Sequence, residues 1–256
     1  MTKSVFISGA AQGIGAAIAA LFYKKGWKVG IYDVNENQAK ELAEQLGSNA
    51  KAGYLNVTNY RQWKMALKDF STWANGIDVL INNAGILYSG DFSHTDIDHH
   101  HRTIDVNVKG VLNGCHAALP FLQAKKNSKV INLSSASANY GQADLISYSA
   151  SKFAVRGITE GLDVEWRKYG IRVLDLMPLF VQTNMVTDMD AGTIKNMGVH
   201  LTAEDVAEEA YKIAASRRPF INTHHPVGLS SKLAFHLTNL SPQIVNRLAN
   251  SLLSRR

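Results

Sequence analysis

Short apolar runs alternate with stretches of helical periodicity along most of this chain. Val5-Phe6-Ile7, Lys28 to Tyr32, Lys51 to Leu55, Asp78 to Ile81, Lys129 to Leu133 and Ile171 to Leu176 read as strands. Ala16 to Lys25, Asn37 to Leu46 and Asn59 to Trp73 read as the helices between the first four. A further long helix carries Tyr148 and Lys152 and runs to about Tyr169, and Thr202-Ala203-Glu204-Asp205 opens another with a side-chain cap and an acidic first turn. Strands alternating with helices of this length predict an α/β fold, a parallel sheet with helices on both faces.

The pattern changes at the C-terminal end. Leu229, Leu233 and Leu237 recur at helical spacing, as do Ile244, Leu248 and Leu252, with Pro242 between the two sets. We expect a main domain over residues 1–225 and a basic, amphipathic helical extension over 226–256. Such ends usually pack on the core or across a subunit contact, which is the preferred expectation. The alternative is peripheral contact with an anionic membrane surface.

Charge sharpens the contrast. The net charge is +6, and residues 217–256 hold six Lys or Arg with no Asp or Glu. The body is therefore neutral, which argues against a nucleic-acid partner, because a phosphate-tracking surface would place cations on the body as well. The single cysteine, Cys115, sits in the apolar run Val111 to Leu122 and reads as a buried structural thiol in a reducing compartment. A start that runs straight into a strand, and no apolar run near the ~20 residues a bilayer span needs, lead us to expect a cytoplasmic protein, or one peripheral at a membrane. His94, His99, His100 and His101 fall in a polar segment leading into a helix, where adjacent side chains diverge, so no metal site is expected.

Two stretches carry candidate chemistry. After the first strand comes Ser8-Gly9-Ala10-Ala11-Gln12-Gly13-Ile14-Gly15, a glycine-rich turn opening a helix, which suits close approach to a pyrophosphate. Asp33 ends the second strand eighteen residues after Gly15, placed to accept hydrogen bonds from ribose hydroxyls and to repel a 2′-phosphate, although it also suits a helix N-cap. No Lys or Arg lies within Val34 to Gln38, and Gln12 precedes the second glycine, so NAD is favoured over NADP. Asn82-Asn83-Ala84-Gly85 ends the fourth strand with two amides and a small pair, which suits either a ligand or a turn.

The second stretch is Tyr148-Ser149-Ala150-Ser151-Lys152, with Ser135 thirteen residues upstream at a strand end. Tyr148 and Lys152 share a helix face. A phenol with a pKa of about 10 needs roughly 4 kcal/mol of help to fall by about three units, and one ammonium about 4 Å away at an effective dielectric of 20 supplies that. Asn107, a polar residue in an otherwise apolar helical run, either kinks or caps its helix or positions a water near Tyr148.

Taken in order, these motifs resemble those of the short-chain dehydrogenase/reductase family over roughly residues 3–215. Ser8 to Gly15 is similar to its cofactor turn with Ser for Thr, Asn82 to Gly85 to its N-N-A-G element, and Asn107, Ser135, Tyr148 and Lys152 to its catalytic tetrad. The resemblance implies a single doubly wound Rossmann-type domain with a parallel sheet of about seven strands. It also implies a bound nicotinamide cofactor, hydride transfer at a carbonyl carbon, and a homodimer or homotetramer. Tyr148 becomes the acid/base, Ser135 orients the substrate oxygen, Lys152 also holds the nicotinamide ribose, and Asn107 joins a proton relay through water. The cofactor set is Gly9, Gln12, Gly13, Ile14, Gly15, Asp33, Asn56, Val57, Asn83, Ala84, Gly85, Tyr148, Lys152, Pro178, Val181 and Thr183.

Three departures from the family pattern shape the expectation. Asn56-Val57 replaces the family's adenine-contacting Asp-Val, and an amide can still bond the adenine amino group; Pro178-Leu179 replaces Pro-Gly, so the loop beside the nicotinamide should be reshaped and more apolar. The chain also continues past the usual ending into its basic tail. Leu179, with Met185, Val186, Met189 and Met197 in the segment where the family's substrate loop falls, points to a hydrophobic secondary alcohol or ketone, in the steroid-like, retinoid-like or long-chain range. An NADPH-dependent carbonyl reductase and a catalytically silent NAD(H)-binding regulator are the alternatives.

Overall fold

The computed structural model describes residues 2–183, 198–216 and 222–253. Seven parallel strands form one sheet: β1 Ser4–Ser8, β2 Lys28–Asp33, β3 Ala50–Tyr54, β4 Val79–Asn82, β5 Lys129–Leu133, β6 Arg172–Pro178 and β7 His224–Val227. Their order across the sheet is β3-β2-β1-β4-β5-β6-β7. The chain therefore winds outward from β1 in one direction, returns, and winds outward again from β4. The crevice where the order reverses, at the carboxyl ends of β1 and β4, is where open α/β sheets bind ligands.

Helices cover both faces, which explains why β1, β4 and β5 are wholly buried rather than alternating. Period-two geometry sends Val5 and Ile7 of β1 to one face and Phe6 to the other. The first face packs on α1 Gly13–Lys24 and α7 Ala203–Ala215, through Ile18, Phe22, Val206 and Ile213. The second packs on α3 Tyr60–Ala74, α5 Gly110–Gln123 and α6 Ile146–Trp166, where Phe6 stacks on Tyr32 at 4.4 Å and meets Phe70 edge-on at 5.5 Å. Cys115 lies in this second layer, its thiol pushed up to about 12 by burial, as expected of a structural cysteine.

Two charged groups inside this core tie helices to the sheet. Lys129 donates to the carbonyls of Ile213, Ala214 and Ser216 at 2.8, 3.1 and 2.6 Å, satisfying the end of α7. Asp163 of α6 accepts from Arg172 at 2.7 and 3.1 Å and from the Val173 N–H at 3.0 Å, fixing β6 against that helix. Asn35, not Asp33, caps α2 Glu36–Leu46, its side chain accepting from the Gln38 N–H at 3.3 Å.

Two features modify the expected layout. The helical run through Asn107 changes pitch: α4 Ile97–Ile104 is joined to α5 by a π-helical turn, Asp105–Lys109, which contains Asn107. And β7 continues the sheet to Val227, two residues past the boundary drawn at 225, before α8 Leu229–Leu240 and α9 Gln243–Leu253. No helix among the described residues is long and apolar enough to cross a membrane. Met185, Val186, Met189 and Met197 lie outside the described residues, as do Arg217, Arg218, Arg255 and Arg256.

Candidate active site

The crevice at the strand ends is a cavity of about 950 Å³. Its floor is the turn between β1 and α1. Gly9 has φ +65°, and a Cβ there would lie 2.6 Å from the Ala84 Cα, so glycine is required both by conformation and by the neighbouring strand end. Asn83 laces the two loops together, its Nδ2 donating to the carbonyls of Ser8 at 3.1 Å and Gly9 at 2.6 Å, while Ser8 Oγ accepts from the N–H of Asn83 and of Ala84. Gln12, at the α1 N-cap, makes no side-chain cap, which leaves the helix N–H groups facing the crevice without one.

Every residue of the expected set lines this cavity except Gly15 and Asn107. Gly15 is buried beneath the turn, where a Cβ would fall 2.6 Å from Asn83 Nδ2. Asp33 accepts from the N–H of Ala11 at 3.1 Å and of Asn35 at 3.0 Å, which holds its carboxylate beside the glycine turn. Asn56 closes an Asx turn by accepting from Thr58 N–H and Oγ at 3.0 and 2.9 Å. Leu179 is not among the residues with positive φ; its backbone is ordinary and its side chain lines the cavity.

Ser135, Tyr148 and Lys152 converge on the far half of the cavity. Strand β5 delivers Ser135, whose Oγ accepts from the Ser137 N–H at 3.1 Å, lies 3.1 Å from Ser137 Oγ and lines the cavity together with Tyr148. Helix α6 presents Tyr148 and Lys152 one turn apart. Lys152 Nζ lies 5.4 Å from the Tyr148 ring centroid and donates to the Leu133 carbonyl at 2.8 Å. Burial pushes the Tyr148 phenol up to about 12 against the lowering influence of Ser135, and burial pulls Lys152 down to about 8. The expected lowering of Tyr148 by Lys152 is therefore not what this geometry produces. The ammonium is spent on a strand-end carbonyl, and desolvation of the phenol dominates.

Asn107 stands behind this group. Its Oδ1 accepts from the Ile86 N–H at 2.8 Å, and its Nδ2 donates to the Ile86 carbonyl at 2.9 Å and to Ser151 Oγ at 3.0 Å. Both amide hydrogens are thus committed to protein groups. The histidines disperse: His99 stacks on Tyr88 at 3.9 Å, while His100 meets Phe92 and the Ser147 hydroxyl. Sequence reading passed over Arg102 and Asp105, which also line the cavity. Arg102 carries no motif; only its place on the helix preceding Asn107 could have drawn attention to it.

The cavity suits a dinucleotide on its own terms. A helix N-terminus without a side-chain cap, a carboxylate held beside it and a lysine at the opposite half match pyrophosphate, ribose and nicotinamide ribose in that order. Gly85 lines the cavity, and a Cβ built on it would lie 3.4 Å from Asn107 Oδ1 and 3.7 Å from Lys152 Nζ.

Comparison with known proteins agrees. The family described as "short chain dehydrogenase" matches residues 3–193, and the chain belongs to that family. The 3-alpha-(or 20-beta)-hydroxysteroid dehydrogenase of Mycobacterium tuberculosis is 34% identical over 183 residues, covering 72% of this chain and 70% of the relative. The mitochondrial borneol dehydrogenase of Lavandula x intermedia is 32% identical over 228 residues, covering 87% of each. Among solved structures, a 3-ketoacyl-(acyl-carrier-protein) reductase from Brucella melitensis complexed with NADH superposes with a TM-score of 0.81 at 26% identity, covering 88% of this chain and 96% of that one. A gluconate 5-dehydrogenase from Burkholderia cenocepacia in complex with NADP and tartrate gives 0.79 at 28% identity, covering 88% and 93%. The protein is an oxidoreductase of a family that uses a nicotinamide cofactor.

Proposed function

We propose that this protein is an NAD(H)-dependent dehydrogenase acting on a hydrophobic secondary alcohol or the corresponding ketone. The observation that carries the reading is that Ser135, Tyr148 and Lys152 line the same cavity as the α1 N-terminus, with Lys152 Nζ 5.4 Å from the Tyr148 ring centroid. Bound cofactor would accept or supply the hydride at the substrate carbon. The protein's own part is the oxygen: Ser135 holds it, and Tyr148 takes its proton in oxidation or returns it in reduction. At neutral pH the phenol carries its proton, the state that serves reduction. Oxidation draws on the phenolate and gains from alkaline pH, each unit of the gap being worth about 1.4 kcal/mol.

Asp33 supports NAD, since its anchored carboxylate meets the adenosine ribose and repels a 2′-phosphate. Leu179, Phe180 and Leu87 along the cavity support an apolar substrate. The hydroxysteroid and borneol dehydrogenases, by their names, act on alcohols of that kind. A second reading, an NADPH-dependent carbonyl reductase, is favoured by Arg102, an exposed cation lining the same cavity.

The test is reduction of NAD⁺ and NADP⁺ in parallel over secondary alcohols graded in apolarity, with Tyr148→Phe as the blank and NADH and NADPH titrated by fluorescence. Turnover that rises with apolarity, requires Tyr148 and prefers NAD⁺ is expected. Tighter NADPH binding overturns the cofactor choice, and activity confined to small polar alcohols overturns the substrate class. NADH binding with no turnover in either direction overturns catalysis in favour of a regulator.

A further inference from the structure

Helix α8 has two opposite faces with different fates. Ser231 is buried and its Oγ donates to the Met177 carbonyl at 2.6 Å, while Phe235, on the same face, lies 6.0 Å from the His224 ring and 5.4 Å from the Arg156 guanidinium. About 200° away around the helix, Leu229, Leu233 and Leu237 are between 55% and 84% exposed. Helix α9 repeats the pattern, with Ile244, Leu248 and Leu252 between 59% and 68% exposed. It is tied to α8 by Asn246, whose Nδ2 donates to the Thr238 carbonyl at 2.9 Å. Of the expected packing on the core or across a subunit contact, the core half is not met: α8 docks through its other face, and the apolar stripes stay bare on the single chain.

Charge says what covers them. Lys232 follows Leu229 by three residues and directly precedes Leu233; Arg247 stands in the same relation to Ile244 and Leu248. Both are exposed. Each stripe is therefore flanked by a cation one helical step away, where a long aliphatic stem can lie along the apolar face with its charge outward. No acid occurs from residue 217 to the end. A tail-to-tail contact between two copies would bring these cations together with nothing to neutralise them, whereas anionic headgroups supply the missing charge.

We infer that α8 and α9 form a peripheral membrane-docking element for anionic lipid, with the leucine stripes in the interface and Lys232 and Arg247 at headgroup level. The anchor on Met177 immediately precedes Pro178, a cavity-lining residue, so docking ties the cavity wall to the lipid surface. The inference stands apart from the hydride-transfer reading, because its test reads no turnover.

The test is vesicle flotation of the full-length protein, using phosphatidylcholine alone and phosphatidylcholine with phosphatidylglycerol. Binding is expected only with phosphatidylglycerol and should weaken at high salt. Lys232→Glu/Arg247→Glu and Leu233→Asp/Leu248→Asp should each lower partitioning by about tenfold or more, with thermal melting and NADH titration unchanged. Absence of flotation, or flotation indifferent to charge reversal, overturns the inference. So does a fall in solution mass of the leucine variant, by light scattering, without any change in vesicle binding, since that outcome assigns the stripes to a second copy of the chain.

Discussion

Asn107 holds both backbone groups of Ile86: it accepts from the N–H at 2.8 Å and donates to the carbonyl at 2.9 Å. A single amide side chain thereby acts as a strand partner for the residue that follows Asn82-Asn83-Ala84-Gly85. The π-helical turn Asp105–Lys109 places it there, inside a continuous helical path between α4 and α5. Its remaining amide hydrogen reaches Ser151 Oγ, which in turn donates to the Tyr148 carbonyl at 2.6 Å. We therefore assign Asn107 a positioning role, linking the cofactor-side loop to the helix of the acid/base.

That role separates from a proton relay by experiment. Asn107→Ala leaves two part-buried backbone groups of Ile86 without their side-chain partner, each worth up to about 1–3 kcal/mol. It should lower the melting temperature, weaken NADH binding and reduce turnover together. Asn107→Asp keeps an acceptor for the Ile86 N–H but loses both donors, and should fall between. Lost turnover with unchanged melting and unchanged NADH affinity would instead indicate a relay.

Asp33 sets the cofactor expectation. Asp33→Asn keeps one acceptor for the Ala11 or Asn35 N–H and removes the negative charge. Two like charges about 4 Å apart repel by roughly 4 kcal/mol at an effective dielectric of 20, and a third of that is about a tenfold change in affinity. The NADPH-to-NADH affinity ratio, measured by fluorescence titration, should rise by about tenfold or more. Arg102→Ala in the Asp33→Asn background should then reverse part of the gain if Arg102 meets the 2′-phosphate. An unmoved ratio would place the ribose elsewhere.

The turn itself can be tested against an internal control. Gly9→Ala forces a left-handed alanine, costing about 1–2 kcal/mol, and drives its Cβ onto the Ala84 backbone, which cannot swing aside as a side chain can. Gly157, exposed in α6 with nothing within 4 Å of a built Cβ, should tolerate alanine or gain up to about 1 kcal/mol from helix propensity. Paired thermal melts and NADH titrations should show a large loss in the first variant and none in the second.

What could be read from the chain follows from how each feature is encoded. Strand and helix alternation, the glycine turn, Asp33, and the Ser135, Tyr148 and Lys152 positions are local patterns, and the sheet and cavity assemble around them as expected. The π-helical turn is not a pattern of apolar spacing, so Asn107 left kink and water-holder equally open. Whether Lys152 activates Tyr148 depends on the Leu133 carbonyl and on burial, both properties of the folded sheet. The Leu229 and Ile244 stripes were visible at once, but which face of α8 meets the core was not, because Ser231 and Phe235 carry no such mark in the sequence.

His224 offers a pH test away from the cavity. Its Nδ1 meets Asp175 at 2.9 Å and its Nε2 meets Glu160 at 2.7 Å, with Arg156 also near. Burial disfavours the imidazolium, but the bonds to the two carboxylates and their charges outweigh it, and the His224 pKa is raised above its ordinary 6.5. Asp175 is raised too, because its complete burial outweighs its imidazole partner. The proton resides on His224, whose ring is partly exposed and flanked by two carboxylates. A raised histidine pKa means that the folded state holds the proton more tightly than the unfolded chain. The resulting stabilisation is complete below about 6.5 and fades as pH climbs through the folded value. His224→Gln should therefore cost about 1–3 kcal/mol near pH 6 and less with each step upward in pH. The wild-type and variant melting temperatures should converge under alkaline conditions. A gap that stays constant or widens with pH would mean that the ring is held neutral, with Asp175 carrying the proton between them.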